Sequence, residues 1–491
     1  MLSIVQELVN ALNERNVGYC HWKSNLLLTK SLSGQTDIDL LIKRKDANAF
    51  KIIINQLGFR SVFLQDLEPF PSVEHYLGFD PESGLLVHVH AYYRVITGES
   101  LAKNYRFPIE EMLLTETERV GPINVASKKA ELIVFTLRMM LKHTSIVELI
   151  FLARGYGHVK EESHWLLDNI SLDETHELLT RWLPSIDPVL FDKCFEALHS
   201  SSPLLKRIVL AHRLRSQLKS FTRHSTLRAR LTGLKKFTLM ATRRLTRTKK
   251  GMVPLTGGFL IAFVGPEATG KSTLISEISQ WLGKYFYLEQ IHAGKPKSTI
   301  ISFFPNLLLP ALRFFLPEQK SGRVEIRHNV DKVGENPQKV FPILFAIRSV
   351  LLAFDRRALL TKAFSKSANG AVVLCDRYPS QRSGYADSPQ LLHYPLSSRH
   401  HPVKYLLAHI EKRLYQQIPP PDLVISLHVP MEIAIERNRM RNKTEPEDYV
   451  RLRHTQSSNL VFENTTIHRI NTNQPLENSV LQIKEVIWSM L

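Results

Sequence analysis

Cysteine is scarce in this chain: only Cys20, Cys194 and Cys375 occur among 491 residues. Because they lie far apart in the sequence, their spacing matches neither a disulfide framework nor a cysteine-based zinc cluster. Few and scattered cysteines are typical of proteins from a reducing compartment. The first eight residues also lack the basic start and apolar block of a signal peptide, so the sequence predicts a cytoplasmic protein.

Acidic residues are absent between residues 197 and 266. Within this stretch, the basic segment 206–250 holds fifteen Lys and Arg, in a chain whose formal charge is +18. Four apolar residues recur there at helical spacing: Leu227, Leu231, Leu234 and Phe237. The pattern predicts a basic amphipathic helix that either binds an anionic membrane surface at the inner face or serves as a solvated linker. Because aromatic residues are few here, nucleic acid is the less favoured partner.

Long uninterrupted apolar runs are scarce as well. The strongly apolar stretch 300–316 is interrupted by Pro305 and Pro310 and contains Arg313. Prolines break helices, and the run is too short to span a bilayer comfortably. We expect an insertion that covers the core or dips into a membrane face.

A chain of 491 residues is too long for a single core. Residues 130–137 and 146–151 are apolar at helical spacing, which predicts a helical region after a first, mixed domain. We predict four segments: an α+β domain at 1–122, its helical extension at 123–205, a basic amphipathic linker at 206–252 and an α/β domain at 253–491.

The strongest chemical pattern is the sequence GPEATGKS at 265–272, which follows the apolar run 259–264 and precedes a helical pattern. A buried strand, a glycine loop, Lys-Ser and a helix are, in this order, the parts of a phosphate-binding loop. The loop glycines let backbone N–H groups converge on a phosphate, and the helix directs its positive end to the same place. A glycine-rich turn without a ligand is the alternative, which the flanking strand and helix disfavour.

Each side chain of this loop has a physical role. Lys271 would neutralise β- and γ-phosphate oxygens, and the Ser272 hydroxyl would bind Mg²⁺, which prefers hard oxygen ligands. The predicted cofactor-binding residues are Gly265, Thr269, Gly270, Lys271, Ser272 and Thr273.

Two further buried strands are predicted at 370–375 and 423–429. The first ends in Asp376-Arg377-Tyr378, and sites in parallel α/β sheets lie at the carboxyl ends of strands. We therefore expect Asp376 to lie beside the phosphate-binding loop. A helix after the last strand carries Arg437 and Arg441, which are four residues apart and share a face.

These combined motifs resemble the thymidylate kinase family of P-loop nucleoside-monophosphate kinases, and the resemblance spans most of residues 258–475. It implies a three-layer α/β fold with a parallel sheet, ATP and Mg²⁺ as cofactors, and phosphoryl transfer to a nucleotide or related phosphorylated acceptor. It also implies roles for individual residues. Lys271 and Ser272 hold ATP and Mg²⁺, Asp376 lies near metal and acceptor, and Arg377 contacts the transferring phosphates. The remaining implied residues are Arg437 and Arg441 on a lid, and Arg348, Arg356 and Tyr378 at the acceptor.

The N-terminal domain carries a second acidic pattern. Asp37 and Asp39 project from the same face of a predicted strand, where they could share a divalent cation or form a solvated edge. The stretch resembles the nucleotidyltransferase (polymerase-β-like) superfamily, although Lys23-Ser24 stands where that family has Gly-Ser. The family has a third carboxylate on a neighbouring strand, where this sequence has His88 and His90. We interpret these histidines as solvated or core-edge groups.

Two other functions stay open. The fusion of these two halves resembles bacterial proteins found with surface-polysaccharide genes, so nucleotidyl transfer by the N-terminal domain is one alternative. The other is a membrane-associated scaffold that binds nucleotide through degenerate sites.

Overall fold

A computed structural model describes residues 1–64, 70, 72–99, 103–144, 157–168, 170–200, 202–246, 251–300, 302–305, 307–308, 341–385, 387–394, 396, 398–440, 445–457 and 460–491. The chain divides into two compact units, residues 1–249 and 250–491. Three sequence-based predictions lie wholly or largely outside the described residues: the lid residue Arg441, the helical pattern at 146–151 and the apolar stretch 300–316.

The first unit contains both helices and strands. Its helices are α1 (Ser3–Glu14), α2 (Leu28–Leu32), α3 (Ala47–Gln56), α4 (Glu110–Thr115), α5 (Lys128–Lys142), α6 (Gly157–Leu167), α7 (Leu172–Trp182), α8 (Pro188–His199), α9 (Leu204–Gln217) and α10 (Thr226–Thr246). Its strands are β1 (Tyr19–His21), β2 (Ile38–Ile42), β3 (Arg60–Leu64), β4 (Val73–Asp80), β5 (Leu85–Tyr92), β6 (Val95–Thr97), β7 (Tyr105–Phe107), β8 (Thr117–Val120) and β9 (Ile123–Ala126).

The main sheet of this unit is mixed and runs in the order β3–β4–β5–β2–β1–β9–β8. Strand β2 pairs with β5 in parallel, whereas β4 and β5 are antiparallel. Successive residues of β2 enter different cores, as the two-residue period of a strand requires. Ile38 and Leu40 pack with α1 and α3, whereas Leu41 packs with the helices that follow α4. Helices therefore cover both faces of the sheet.

The basic segment forms two helices, α9 and α10, and the predicted amphipathic helix corresponds to α10. Among the helices that the structure describes, none combines the length and the apolar character needed to cross a membrane.

The second unit is built on parallel strands. Its helices are α11 (Lys271–Gly283), α12 (Ile343–Ala368), α13 (Pro402–Gln416), α14 (Met431–Arg439), α15 (Glu447–Ser457) and α16 (Leu476–Met490). Its strands are β10 (Met252–Pro254), β11 (Phe259–Val264), β12 (Leu288–His292), β13 (Val372–Asp376), β14 (Leu423–His428) and β15 (Thr466–Asn471).

Five of these strands form one sheet in the order β12–β13–β11–β14–β15, in which all four pairings are parallel. All six residues of β11 are buried, as expected for a central strand of a parallel sheet covered on both faces. Leu260 and Ala262 pack against Leu360 and Ala363 of α12, and the alternation of the strand turns Ile261 to the opposite face. The predicted α/β class is thereby confirmed.

The burial of β11 predicts how much one side chain stabilises the sheet. Replacing fully buried Ile261 by Ala should lower the opening free energy of the β11 amides by about 2–5 kcal/mol, because a cavity is left in the core. Hydrogen exchange followed by mass spectrometry measures this local free energy. The matched change Ile467→Ala, on the exposed face of β15, should alter it by less than about 1 kcal/mol. Equal losses in the two variants would contradict this packing.

Candidate functional site

The predicted phosphate-binding loop connects β11 to α11. Gly270 precedes the first turn of α11 with φ 81°, a left-handed conformation that favours glycine. Gly265 has φ 149°, and a Cβ placed there would lie 2.5 Å from the Leu427 carbonyl oxygen. Both glycines are thus required by the backbone, and the exposed Ser272 lies in the first turn of the helix.

Lys271 is turned into this loop. Its Nζ donates hydrogen bonds to the carbonyl oxygens of Gly265, at 3.0 Å, and Pro266, at 2.6 Å. Burial lowers the pKa of Lys271 to about 8, while the neighbouring Glu267 carboxylate opposes that shift. The ammonium is therefore held close to the loop backbone, where a bound anion would compete with the two carbonyls.

Asp376 ends β13 beside the loop, because β13 pairs in parallel with β11 and its Asp376 is in register with Phe263. The Asp376 Oδ2 lies 2.8 Å from His292 Nδ1. Its Oδ1 is buried and has no hydrogen-bond partner among the described residues. An unsatisfied buried acceptor costs about 1–3 kcal/mol, so this oxygen is suited to a cation or a ligand donor.

Arg377 follows directly and adopts φ 70°, a left-handed conformation that is rare for a residue with a side chain. Its Nη2 donates to Glu267 Oε1 at 2.8 Å, and its Nη1 donates to Asp387 Oδ2 at 3.2 Å. Although burial opposes it, these carboxylates raise the pKa of Arg377. Strained backbone of this kind clusters at functional sites, and here it directs a guanidinium towards the loop.

Arg453, on α15, belongs to the same cluster, although no pattern in the sequence indicates it. Its buried Nε lies 3.6 Å from Glu267 Oε1, without a hydrogen-bond partner among the described residues, and its Nη2 lies 3.4 Å from Asp387 Oδ2. Burial would raise the pKa values of Glu267 and Asp387, but the surrounding cations lower both. No motif links Arg453 or Asp387 to the loop, since their pairing arises only in the folded chain.

Arg356, predicted at the acceptor, is fully engaged within the protein. Its five N–H groups all donate to acceptors, which are the carbonyl oxygens of Ala293, Gly294 and Asp387, the Asp387 carboxylate and the Tyr415 hydroxyl. Arg356 could therefore grip a phosphate only by exchanging one of these partners. Arg348 lies two turns earlier on α12 with its side chain exposed. The roles of both arginines stay predictions.

Two cavities lie near the remaining predicted residues. One, of about 320 Å³, is bounded by the loop residues 268–270, Thr273 and Arg437, whose Nη2 donates to the Thr472 carbonyl at 2.9 Å. The other, of about 470 Å³, is lined in part by Tyr378, whose hydroxyl donates to the Pro419 carbonyl at 2.5 Å. The first of these two cavities gives the loop an open cleft on the side of Arg437.

The acidic pattern of the first unit meets histidines. Asp37 Oδ1 lies 2.9 Å from His88 Nδ1, and Asp39 Oδ1 lies 3.1 Å from His90 Nδ1. Asp39 also forms an ion pair with Lys23, whose Nζ is 3.0 Å from the same oxygen. Burial raises the pKa values of both aspartates, but His88 beside Asp37 and Lys23 beside Asp39 lower them overall. These carboxylates therefore already bind neighbouring side chains.

His75 completes this group, although no motif in the sequence indicates it. Its Nδ1 lies 3.3 Å from His88 Nε2, and its ring meets the His90 ring edge to face with centroids 4.6 Å apart. Burial lowers the pKa of His75 to about 3 and also lowers that of His88. Neutral imidazoles of this kind can act as metal ligands.

No family model matches the chain. Two curated proteins are similar to it: the uncharacterized ATP-binding protein YghR of Escherichia coli strain K12 and its counterpart in Escherichia coli O6:H1 strain CFT073. Each is 25% identical over 232 residues, which correspond to 46% of this chain and 86% of the relative.

The burial of Lys271 should be measurable as a lowered pKa of its amine. Its amine should become reactive towards an acylating reagent with a midpoint near pH 8, and Glu267→Gln should move that midpoint lower, because the carboxylate favours the ammonium form. Mass spectrometry of the labelled peptide measures the profile, with Lys362, exposed on α12, as an internal reference for the reagent. A midpoint near the ordinary lysine value of 10.5 would contradict the buried placement.

Proposed function

We propose that this protein is an ATP- and Mg²⁺-dependent phosphotransferase of the thymidylate kinase type, which acts on a nucleotide or a related phosphorylated acceptor. One observation carries the proposal. Lys271 and the unsatisfied Oδ1 of Asp376 belong to adjoining segments, the loop after β11 and the end of β13. An ammonium and a partnerless carboxylate oxygen at the end of a parallel sheet suit a metal-bound polyphosphate.

ATP is the proposed phosphate donor. The similar proteins carry the description ATP-binding, which supports this choice of nucleotide. The cavity beside Ala268 and Gly270 offers about 320 Å³, and ligand pockets start at about 300 Å³. The base and ribose would lie there, on the Arg437 side, while the triphosphate follows the backbone N–H groups of the loop.

Mg²⁺ is the proposed metal, and Ser272 and Asp376 would hold it. The donor set fits, since a hydroxyl and a carboxylate are hard oxygen ligands. When bound, the ion neutralises developing phosphate charge. His292 contacts the other oxygen of Asp376 at 2.8 Å and would orient the carboxylate.

The arginines would stabilise the transferring group. An oxygen of the acceptor phosphate forms the new bond to the γ-phosphorus, the bond to the β–γ bridging oxygen breaks, and ADP leaves with that electron pair. Arg377 and Arg453 lie at the loop, where they now share the carboxylates of Glu267 and Asp387. Phosphoryl transfer depends on such positioned positive charge, and Arg437 and Arg441 would add to it from the lid.

The acceptor would bind beside α12. A narrow cavity of about 20 Å³ is lined there by Phe345, Ser349, Arg356 and Arg453 among others. This volume accommodates about one water molecule, so a phosphorylated acceptor could enter only if α12 or the segment around Asp387 moved apart. Arg348, exposed on α12, and Tyr378, which lines the cavity of about 470 Å³, are the further contacts proposed for the acceptor.

The proposal predicts that Lys271→Ala weakens ATP binding at least about tenfold, because a charge-assisted hydrogen bond worth about 1.5–3 kcal/mol is lost. Calorimetric titration of the purified chain measures the affinity. The control Lys362→Ala, on the exposed face of α12, should bind as the wild type does. ATP turnover is then followed with a panel of nucleotide and sugar-phosphate acceptors. Unchanged ATP binding in Lys271→Ala would refute the assignment of the loop.

We further propose an anionic membrane surface as a partner of α10. Three leucines on one side of this helix are strongly exposed: Leu227 at 70%, Leu231 at 58% and Leu234 at 59%. Exposed Arg228 and Lys235 lie on the same helix, and no acidic residue accompanies them between 197 and 266. Apolar residues bordered by cations suit the boundary between lipid headgroups and acyl chains.

If α10 binds an anionic membrane surface, we expect the protein to bind vesicles that contain phosphatidylserine and not neutral vesicles. Leu231→Ser with Leu234→Ser should weaken this binding, whereas Leu172→Ser, an exposed residue at the start of α7, should not. Co-sedimentation at low and moderate salt measures it, and salt should reduce the bound fraction because the attraction is partly electrostatic. Equal binding to neutral and anionic vesicles would argue against this partner.

A further inference from the structure

Three histidines converge on two neighbouring strands of the first unit. His75 on β4 lies directly opposite His90 on β5, and His88 is two residues before His90 on the same strand. Alternate residues of a strand share a face, so the register brings all three rings to one side of the sheet. One candidate ligand atom from each ring lies within 4.8 Å of the other two.

We propose that His75, His88 and His90 together bind one divalent transition-metal ion of borderline softness, of which Zn²⁺ is the type. Two nitrogens bound to one tetrahedral zinc ion lie about 3.3 Å apart, given Zn–N bonds of about 2.0–2.1 Å. The distance from His75 Nδ1 to His88 Nε2 is 3.3 Å. Imidazole is a preferred ligand of such ions, whereas Mg²⁺ prefers oxygen.

The two aspartates act as positioning residues for this site. Asp37 accepts from His88 Nδ1 and Asp39 faces His90 Nδ1, so the metal would bind the Nε2 of each ring. It would replace the present contacts of these atoms, with His75 Nδ1 at 3.3 Å from His88 Nε2 and with Asp37 Oδ2 at 3.8 Å from His90 Nε2. Histidines that bind metals characteristically donate their other N–H to a carboxylate, which fixes the tautomer and the ring orientation. This arrangement occurs twice here, because parallel strands β2 and β5 align Asp39 with His90.

The charges favour histidine ligation over direct binding by the aspartates. The ammonium of Lys23 lies 3.0 Å from Asp39 Oδ1 and neutralises that carboxylate, and Lys103 also interacts with Asp39. The two aspartates together therefore bring at most one uncompensated negative charge, on the more exposed Asp37. A pair of Mg²⁺ ions bridged by carboxylates would require more negative charge than this. Three protein ligands also leave one coordination position for water or a substrate oxygen, the pattern of catalytic zinc sites.

The test uses the full chain, freed of metal by a chelator and titrated with Co²⁺ as a spectroscopic probe. We expect one Co²⁺ per chain with the intense visible absorption of tetrahedral cobalt, displaced by equimolar Zn²⁺ and not by a thousandfold excess of Mg²⁺. His75→Ala and His90→Ala should each abolish the absorption. The control is His176→Ala, because His176 also pairs with a carboxylate, Asp192 at 2.7 Å, but is outside the cluster.

Asp37→Asn tests the positioning role, and we expect the affinity for Zn²⁺ to fall about 10–100-fold. Should a histidine variant fail to fold, as judged by circular dichroism, Zn²⁺ protection of the three wild-type histidines from diethyl pyrocarbonate gives the same information. Absence of stoichiometric binding, an unchanged Co²⁺ spectrum in the folded variants, lack of protection, or displacement by Mg²⁺ at comparable concentration would overturn the proposal.

Discussion

The parallel pairing of β11 with β13 is the constraint on which the second unit depends. It aligns Phe263 with Asp376, and the N–H of Arg377 continues the pairing by donating to the Phe263 carbonyl at 3.0 Å. Because both strands end at the same edge, the glycine loop and the Asp-Arg pair are brought together although they are more than 100 residues apart in the sequence. The left-handed Arg377 is held there by this backbone hydrogen bond and by the bonds of its guanidinium to Glu267 and Asp387.

A shared set of carboxylates then keeps positive charge at the loop. Glu267 and Asp387 each contact both Arg377 and Arg453, so the guanidiniums are held in place before any phosphate arrives. Buried charges are tolerated only when they are paired, which explains why acids accompany the arginines of a site proposed to bind anions. At this site, Asp376 Oδ1 and Arg453 Nε are buried without hydrogen-bond partners among the described residues, and both could contact a bound ligand.

Local patterns predicted much of this architecture. Apolar runs indicated β11, β13 and β14, and helical spacing indicated α10. The contributions of Arg453 and His75 could not be predicted, because each depends on tertiary pairing with segments distant in sequence. Alternation placed His88 and His90 on one face, but only the register with β2 and β4 shows that they meet Asp37, Asp39 and His75.

We propose that Asp376 and the loop together bind a metal-bound nucleotide. The most direct test is the dependence of ATP affinity on Mg²⁺ concentration, measured by calorimetry for the wild type and for Asp376→Asn. We expect Mg²⁺ to tighten ATP binding to the wild type and to have little effect on the variant, which retains Lys271 and the loop. An identical Mg²⁺ dependence in the two proteins, or no ATP binding by the wild type, would contradict it.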